Sequence, residues 1–428
     1  FRSVLKAIEE ILTNNDEAIC DAVCKDFGNR SVHETRILEI APTILGARYT
    51  LKHLKSWMKP QKRHVSKLFF GGKNTVIPQP KGVVGIITPW NYPLQLSISP
   101  LTSAIAAGNR VMIKLASNSQ TLAQLLKKLF AEKVSEDLVT FLPGVKASEF
   151  SSLPFHHLIF TGSPLVGRTI MEMASRHLTP VTLELGGKSP TILGEDFDLK
   201  TAAERIMYSK LINSGQMCVA PDYIFVPESK ADGFVEEVRK ITQHRYPSIA
   251  SKDYTSIIDE KAFKRLQETL DDAAAKNAEL IPLVEGEKAD PSKRKLPPFI
   301  VRKVSEEMRI MQEEIFGPYL PLMTYQSIDE VIEYINRRER PLALYIYSNN
   351  KAFQQKILMN TISGGVTIND CTMHVAQHDM PFGGIGNSGM GQYHGYEGFA
   401  ELSKLRPIFQ QAKIAIALAP PYGKTFDR

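Results

Sequence analysis

Thr182-Leu183-Glu184-Leu185-Gly186-Gly187-Lys188-Ser189-Pro190 opens the part of the chain around which the rest is organised, and Asn213-Ser214-Gly215-Gln216-Met217-Cys218-Val219-Ala220-Pro221 closes it. The first segment reads as an apolar strand carrying one carboxylate and ended by paired glycines. Alternation turns Glu184 to the same side as Thr182. Gly186 and Gly187 let the backbone pass close to a ligand. The second segment follows a helical pattern and sets Cys218 after a turn that Gly215 frees. A thiol and a carboxylate are the two groups needed to attack a carbonyl and then release the product with water.

Upstream, the pattern alternates. Strands are predicted at 83–88, 110–114, 138–142, 157–161 and 181–185, with helices at 94–107, 120–134 and 164–176 between them. That order marks an α/β fold: a doubly wound nucleotide-binding domain, with its ligand at the carboxyl ends of the strands. Those ends carry Thr88-Pro89-Trp90-Asn91, Lys114 and Thr161-Gly162-Ser163. Beyond Gly187 a second α/β unit follows, assigned as the catalytic domain. Its helices are expected at 199–213, 228–242, 261–276, 328–336 and 351–359, and its strands at 223–226, 299–301, 320–325, 344–347 and 365–368. Residues 4–27 and 33–57 read as helices, and 75–80, with Pro78 and Pro80, as an edge strand outside the main core. The expected division is 1–185 for nucleotide binding, 186–390 for catalysis and 391–428 as a C-terminal return.

Composition sets limits on function. A chain of 428 residues exceeds a single core, and 43% hydrophobic with 23% charged residues excludes a disordered chain. The net charge of +6 comes without an aromatic-interleaved basic motif, so no nucleic-acid partner is expected. Four cysteines (Cys20, Cys24, Cys218 and Cys371) in so large a chain fit a reducing compartment, the cytoplasm. Cys20 and Cys24 have no further ligand at metal-binding spacing, so no metal is expected. The longest uncharged run, between Lys81 and Arg110, is interrupted by Pro89, Pro93 and Pro100 and reads as strand, loop and buried helix rather than a membrane span. The tail 414–420 is too short to span, so no membrane anchor is expected.

Each candidate residue also has a plainer reading. A lone cysteine is most often core packing. Cys218 is lifted above that by its place after a helix, next to Gly215 and between Met217 and Val219. There a thiolate adds to a carbonyl, with the Cys218 amide N–H available to the oxyanion. A solvated carboxylate is the plain alternative for Glu184; burial instead raises its pKa toward that of a general base, able to activate water on a thioester. Asn91 is a turn asparagine or the second oxyanion donor. Gly162-Ser163-Pro164-Leu165-Val166-Gly167 is a tight helix start with Ser163 as N-cap, and it also turns backbone N–H groups toward a pyrophosphate or ribose. Glu313-Glu314-Ile315-Phe316-Gly317-Pro318 ends at a Gly-Pro breaker. The glycine-dense run 381–391 is a linker, or a loop shaped over the substrate by Pro381 and Phe382.

In this order, the motifs resemble those of the aldehyde dehydrogenase superfamily over residues 30–410. Asn-Tyr-Pro after Trp90, Cys-Val-Ala-Pro-Asp-Tyr from 218 and Gly-Asn-Ser-Gly-Met-Gly from 386 resemble its class 3 branch. The resemblance implies a nicotinamide cofactor, NAD or NADP. Thr88, Pro89, Trp90, Lys114 and Ser117 are assigned to it, as are Gly162, Ser163, Gly167 and Leu185. Glu314 and Phe316 match the residues that hold the nicotinamide ribose and ring in the superfamily. Tyr92, Met217 and Phe382 are assigned to the substrate pocket. Implied too is oxidation of an aldehyde, aromatic such as coniferyl-type or medium-chain, to its acid through a thiohemiacetal and thioester on Cys218. The implied assembly is a cytoplasmic homodimer with an oligomerisation hairpin near 74–81.

Two departures matter. Lys114-Leu115-Ala116-Ser117 lacks the carboxylate that the family sets against the adenosine ribose, so nothing repels a 2′-phosphate and NADP is expected to serve beside NAD. Met217 stands where the family often has Thr, which crowds the aldehyde tunnel. A coenzyme A-acylating enzyme is the enzymatic alternative, disfavoured by Glu184 as a water-activating base. A non-catalytic scaffold is disfavoured by Cys218, Glu184 and Asn91 standing together.

Overall fold

The computed structural model describes residues 1–413, so the tail 414–420 and the end of the expected C-terminal segment lie outside the described residues. Five parallel strands, Val83–Ile87, Arg110–Lys114, Val139–Phe141, His157–Gly162 and Val181–Leu185, form the first sheet, and Gly389–Met390 joins antiparallel beside Val181–Leu185. Their continuous apolar runs follow from burial on both faces, because helices cover each side. Gln95–Ala106 is one of these, with most of its side chains buried. Each such Ile, Leu or Val side chain contributes about 1.5–3 kcal/mol by leaving water.

The second sheet has seven strands. Pro190–Leu193, Tyr223–Pro227, Phe299–Arg302, Tyr319–Tyr325, Ala343–Tyr347 and Gly365–Ile368 run parallel, and Glu279–Pro282 is antiparallel at one edge. A third, small antiparallel sheet joins Gln61–Arg63, Lys73–Pro80 and Ser403–Gln410. No helix among the described residues is long and apolar enough to cross a membrane.

Strand order fixes where a ligand can sit. From Val83–Ile87 the chain winds outward through Arg110–Lys114 and Val139–Phe141, then returns to place His157–Gly162 on the other flank of Val83–Ile87. The crevice between the carboxyl ends of Val83–Ile87 and His157–Gly162 is the switch point of the sheet, where open α/β folds bind ligands.

Several expectations are corrected. Lys73–Pro80 is the middle strand of its sheet, not an edge. It tolerates its prolines there because Gln61–Arg63 reaches no farther than Val76, so neither Pro78 nor Pro80 has to donate to it. The periodicity over 4–27 is broken at Asn15 (φ −126°) into Arg2–Asn14 and Asp16–Phe27. The helix expected over 33–57 contains a π-turn, Arg36–Ile40, which carries Glu39 into the interior. Pro190–Leu193, Glu279–Pro282, Gly389–Met390 and Ser403–Gln410 are strands where none is predicted. The glycine-dense run is therefore no linker. Leu185 donates to the Ser388 carbonyl at 3.0 Å, and Gly389 lies opposite Glu184.

Candidate active site

A crevice of ≈ 370 Å³ opens at the switch point. Pro89, Trp90 and Asn91 come to it from one strand end and Thr161, Gly162 and Ser163 from the neighbouring one. Glu184, Leu185 and Gly186 follow from the next strand, and Cys218, Arg265, Glu314 and Phe316 from the second unit. A separate, mainly apolar cavity of ≈ 250 Å³ is lined by Tyr92, Met217, Val219 and Phe382 among others, and by Cys218. Among the described residues, Cys218 alone lines both cavities.

The turn that presents Cys218 is strained and tightly held. After the helix Leu199–Leu211, Asn213 and Ser214 adopt left-handed φ values of 52° and 51°, and Gly215 one of 74°. A Cβ on Gly215 would stand 2.2 Å from the Gly317 carbonyl oxygen, so only glycine fits. Strain of about 1–3 kcal/mol at such a residue persists only where the surroundings over-determine it. Here Asn213 Nδ2 donates to the carbonyls of Asn91 (3.1 Å) and Gln216 (3.0 Å). Gln216 Nε2 donates to Asn213 O at 2.9 Å and Ser256 O at 3.1 Å, and its Oε1 accepts from Ile258 N at 3.0 Å.

Electrostatics at the thiol oppose ionisation in the resting protein. Burial, then the carboxyl groups of Glu314 and Glu184, push Cys218 up to about 12, while the backbone N–H groups of Cys218 and Val219 pull the other way. Glu184 is 2% exposed, and neither carboxyl oxygen has a hydrogen-bond partner among the described residues. Burial holds its pKa well above the usual carboxylate range. It is not the solvated strand-end carboxylate of the plainer reading. Asn91 Nδ2 donates to Gln216 O at 3.3 Å, which leaves its second N–H free to face the crevice.

The features at the crevice fit a nicotinamide dinucleotide. Ser163 caps the helix Pro164–Ser175, its hydroxyl accepting from Val166 N at 3.4 Å, so the positive end of that helix faces the crevice. Glu314 packs over Gly186, where a Cβ would stand 2.1 Å from its carboxyl oxygen. Burial and then Asp222 raise Glu314 to about 8, opposed by the Gly187 amide, Lys188 and Arg265. Lys188 pairs with Asp222 and donates to the carbonyls of Ile310 (2.7 Å) and Glu313 (2.9 Å); Asp222 Oδ2 accepts from Ile315 N at 2.9 Å. This clamp holds Phe316 at a left-handed φ of 49°, with its ring edge-on to Trp90 at 5.4 Å.

Not every assigned residue reaches the crevice. Thr88 lies buried beside it, its hydroxyl without a partner among the described residues. Lys114 is buried and donates to its neighbour's carbonyl, Leu115 O, at 2.8 Å, and Ser117 is exposed; neither lines the crevice. Gly167 serves packing, since a Cβ there would stand 2.7 Å from the Leu185 side chain. Other residues enter unannounced by any motif: Arg265, which donates to Ile315 O at 2.7 Å, and His394, which lines the apolar cavity. For His394 the left-handed backbone (φ 92°) is legible only in the structure.

Comparison with known proteins agrees with this geometry. The sequence model of the aldehyde dehydrogenase family matches residues 2–408. The chain is 47% identical to a probable coniferyl aldehyde dehydrogenase of Pseudomonas aeruginosa, over 99% of this chain and 89% of that protein. It is 38% identical to the dimeric NADP-preferring aldehyde dehydrogenase of Rattus norvegicus, over 94% and 88%. The substrate-bound AldH of Staphylococcus aureus superposes with a TM-score of 0.93 at 36% identity, covering 100% of this chain and 93% of that one. The chain thus belongs to the aldehyde dehydrogenase family, and it is an NAD(P)-dependent oxidoreductase acting on aldehydes.

Proposed function

We propose that Cys218 is the nucleophile, Asn91 and the Cys218 amide the oxyanion donors, and Glu184 the base that directs water at the thioester. The observation that carries this reading is Cys218 as the one described residue common to the glycine-lined crevice at the switch point and the apolar cavity. A nicotinamide bound in the crevice supplies the hydride acceptor. Trp90, Gly162, Ser163 and Leu185 would line its seat, with Glu314 toward its ribose and Phe316 against its ring. Glu184 as a buried base with no partner also argues against the coenzyme A-acylating alternative.

For the substrate we propose an aromatic aldehyde bearing ring oxygens, of the coniferyl type. The P. aeruginosa relative carries that substrate in its name. The apolar cavity supports the reading, because two of its buried polar atoms, Tyr92 Oη and His394 Nδ1, have no partner among the described residues. Burial, then His378 and His374, push His394 down to about 3, so its ring is neutral at pH 7. A straight-chain aldehyde leaves both atoms unsatisfied, at about 1–3 kcal/mol each. The expected result is a kcat/KM for a hydroxylated cinnamaldehyde about tenfold or more above that for an alkanal of similar length. Equal values in steady-state assays would remove the aromatic reading while leaving the aldehyde chemistry standing.

Cofactor choice is read from Ser117, which lies outside the crevice in the segment that the resemblance sets against the adenosine ribose. With no carboxylate there to face a 2′-phosphate, kcat/KM for NADP is expected within about tenfold of that for NAD. Strict NAD preference would mean that another group does the excluding. We further propose a cytoplasmic homodimer, with domains divided at 185 and 390. In support, the small sheet leaves Leu405, Ile408 and Phe409 exposed on Ser403–Gln410, with Phe69 packed edge-on to Phe409 at 5.6 Å.

A further inference from the structure

The Asn91 loop is gripped from behind by a buried ion pair that no motif predicts. Arg30 and Glu39 have fully buried side chains, 3.2 Å apart at Arg30 Nη1 and Glu39 Oε1. The same Nη1 donates to the Asn91 carbonyl at 2.7 Å. Glu39 Oε2 accepts from Leu94 N at 2.7 Å and Gln95 N at 3.2 Å, fixing the start of the helix that follows Asn91. The guanidinium also lies 4.8 Å from the ring centres of both Phe27 and Tyr92, so it cannot swing away. From the next turn, Glu34 accepts Asn213 N at 3.0 Å and the Thr255 hydroxyl at 2.7 Å, which holds the cysteine turn from the same side.

We propose that Arg30, anchored by Glu39, is a positioning residue: it sets the main chain of Asn91 so that the carboxamide meets the oxyanion formed on the carbon bonded to Cys218 Sγ. The proposal rests on the reading of Asn91 as an oxyanion donor. A buried ion pair is weak as a source of stability, because desolvation offsets most of the attraction. What it does supply here is direction, since one nitrogen joins Glu39 to the Asn91 carbonyl, which Asn213 also holds. The π-turn Arg36–Ile40 is the local irregularity that carries Glu39 to this place.

The test is a double-mutant cycle with kcat and KM read separately. R30M/E39Q removes both charges without leaving one buried alone. It is expected to lower kcat by about 10²-fold, the effect of an ~1 Å misplacement, while KM for aldehyde and for cofactor stays within about threefold. R30K keeps donors for the same carbonyl and is expected to fall between wild type and R30M/E39Q. In an Asn91→Ala background both deficits are expected to vanish, because no carboxamide is left to aim. Wild-type kcat in R30M/E39Q would overturn the proposal, as would a deficit that persists undiminished beside Asn91→Ala. If R30M/E39Q melts below the assay temperature, R30K carries the same cycle alone. An Asn91→Ala enzyme with undiminished kcat would instead sink the oxyanion reading itself.

Discussion

Cys218→Ala is expected to abolish aldehyde oxidation, with kcat down at least ~10⁴-fold, while reduced cofactor still binds and quenches the fluorescence of Trp90. Loss of a nucleophile removes the covalent path altogether, and the remaining groups then give only residual rate. Cofactor binding is expected to survive because the sulfur occupies one point of a crevice whose other walls come from three strand ends and from Arg265, Glu314 and Phe316. Stability is also expected to hold, since Cys218 makes no hydrogen bond that organises the turn; Asn213, Ser214 and Gln216 do that. Substantial turnover by Cys218→Ala under single-turnover conditions would exclude a thioester route.

Glu184→Gln is expected to separate the two halves of the reaction. Steady-state kcat falls about 10²–10⁴-fold, the usual contribution of a general base. A burst of reduced cofactor near one per active site remains, because hydride transfer precedes the attack of water. The wild-type pH profile carries the same signature. The base works when deprotonated, and its burial raises the pKa, so kcat drops as pH falls through a value well above the ordinary carboxylate range. In Glu184→Gln that acid limb disappears. Rapid mixing decides the order of events: without a burst, Glu184 acts earlier, by taking the proton that the buried Cys218 thiol retains.

Legibility in the sequence followed burial and distance. Val181–Leu185, Ile328–Asn336 and Gly365–Ile368 coincide with the expected bounds, because each is an uninterrupted local pattern that its neighbours reinforce. Pro190–Leu193 was hidden behind Gly186-Gly187 and opens with a proline, so it reads as loop. Ser403–Gln410 is exposed along most of its length and has no buried face to give it alternation. At the site, Asn91, Glu184 and Cys218 share a crevice, as their motifs imply, because each sits where an element ends. Arg30 and Glu39 left no trace in any motif. Their partners lie 61 and 55 residues away, and an isolated Arg or Glu reads as surface. Lys114 sits at a strand end, as its pattern implies, and its ammonium turns onto Leu115 O.

The pairing of Gly389 with Glu184 has a bearing on synthesis. The strand that carries Glu184 is flanked on one side by His157–Gly162, made early, and on the other by residues translated some two hundred positions later. Lys73–Pro80 likewise waits for Ser403–Gln410. A nascent chain therefore leaves the ribosome with an open sheet edge beside Glu184, and contacts this distant in sequence form slowly. Catalytic competence is therefore expected only once Gly389–Met390 has been made, and a chain truncated before Gly389 carries Cys218 and Glu184 without the strand that flanks Val181–Leu185.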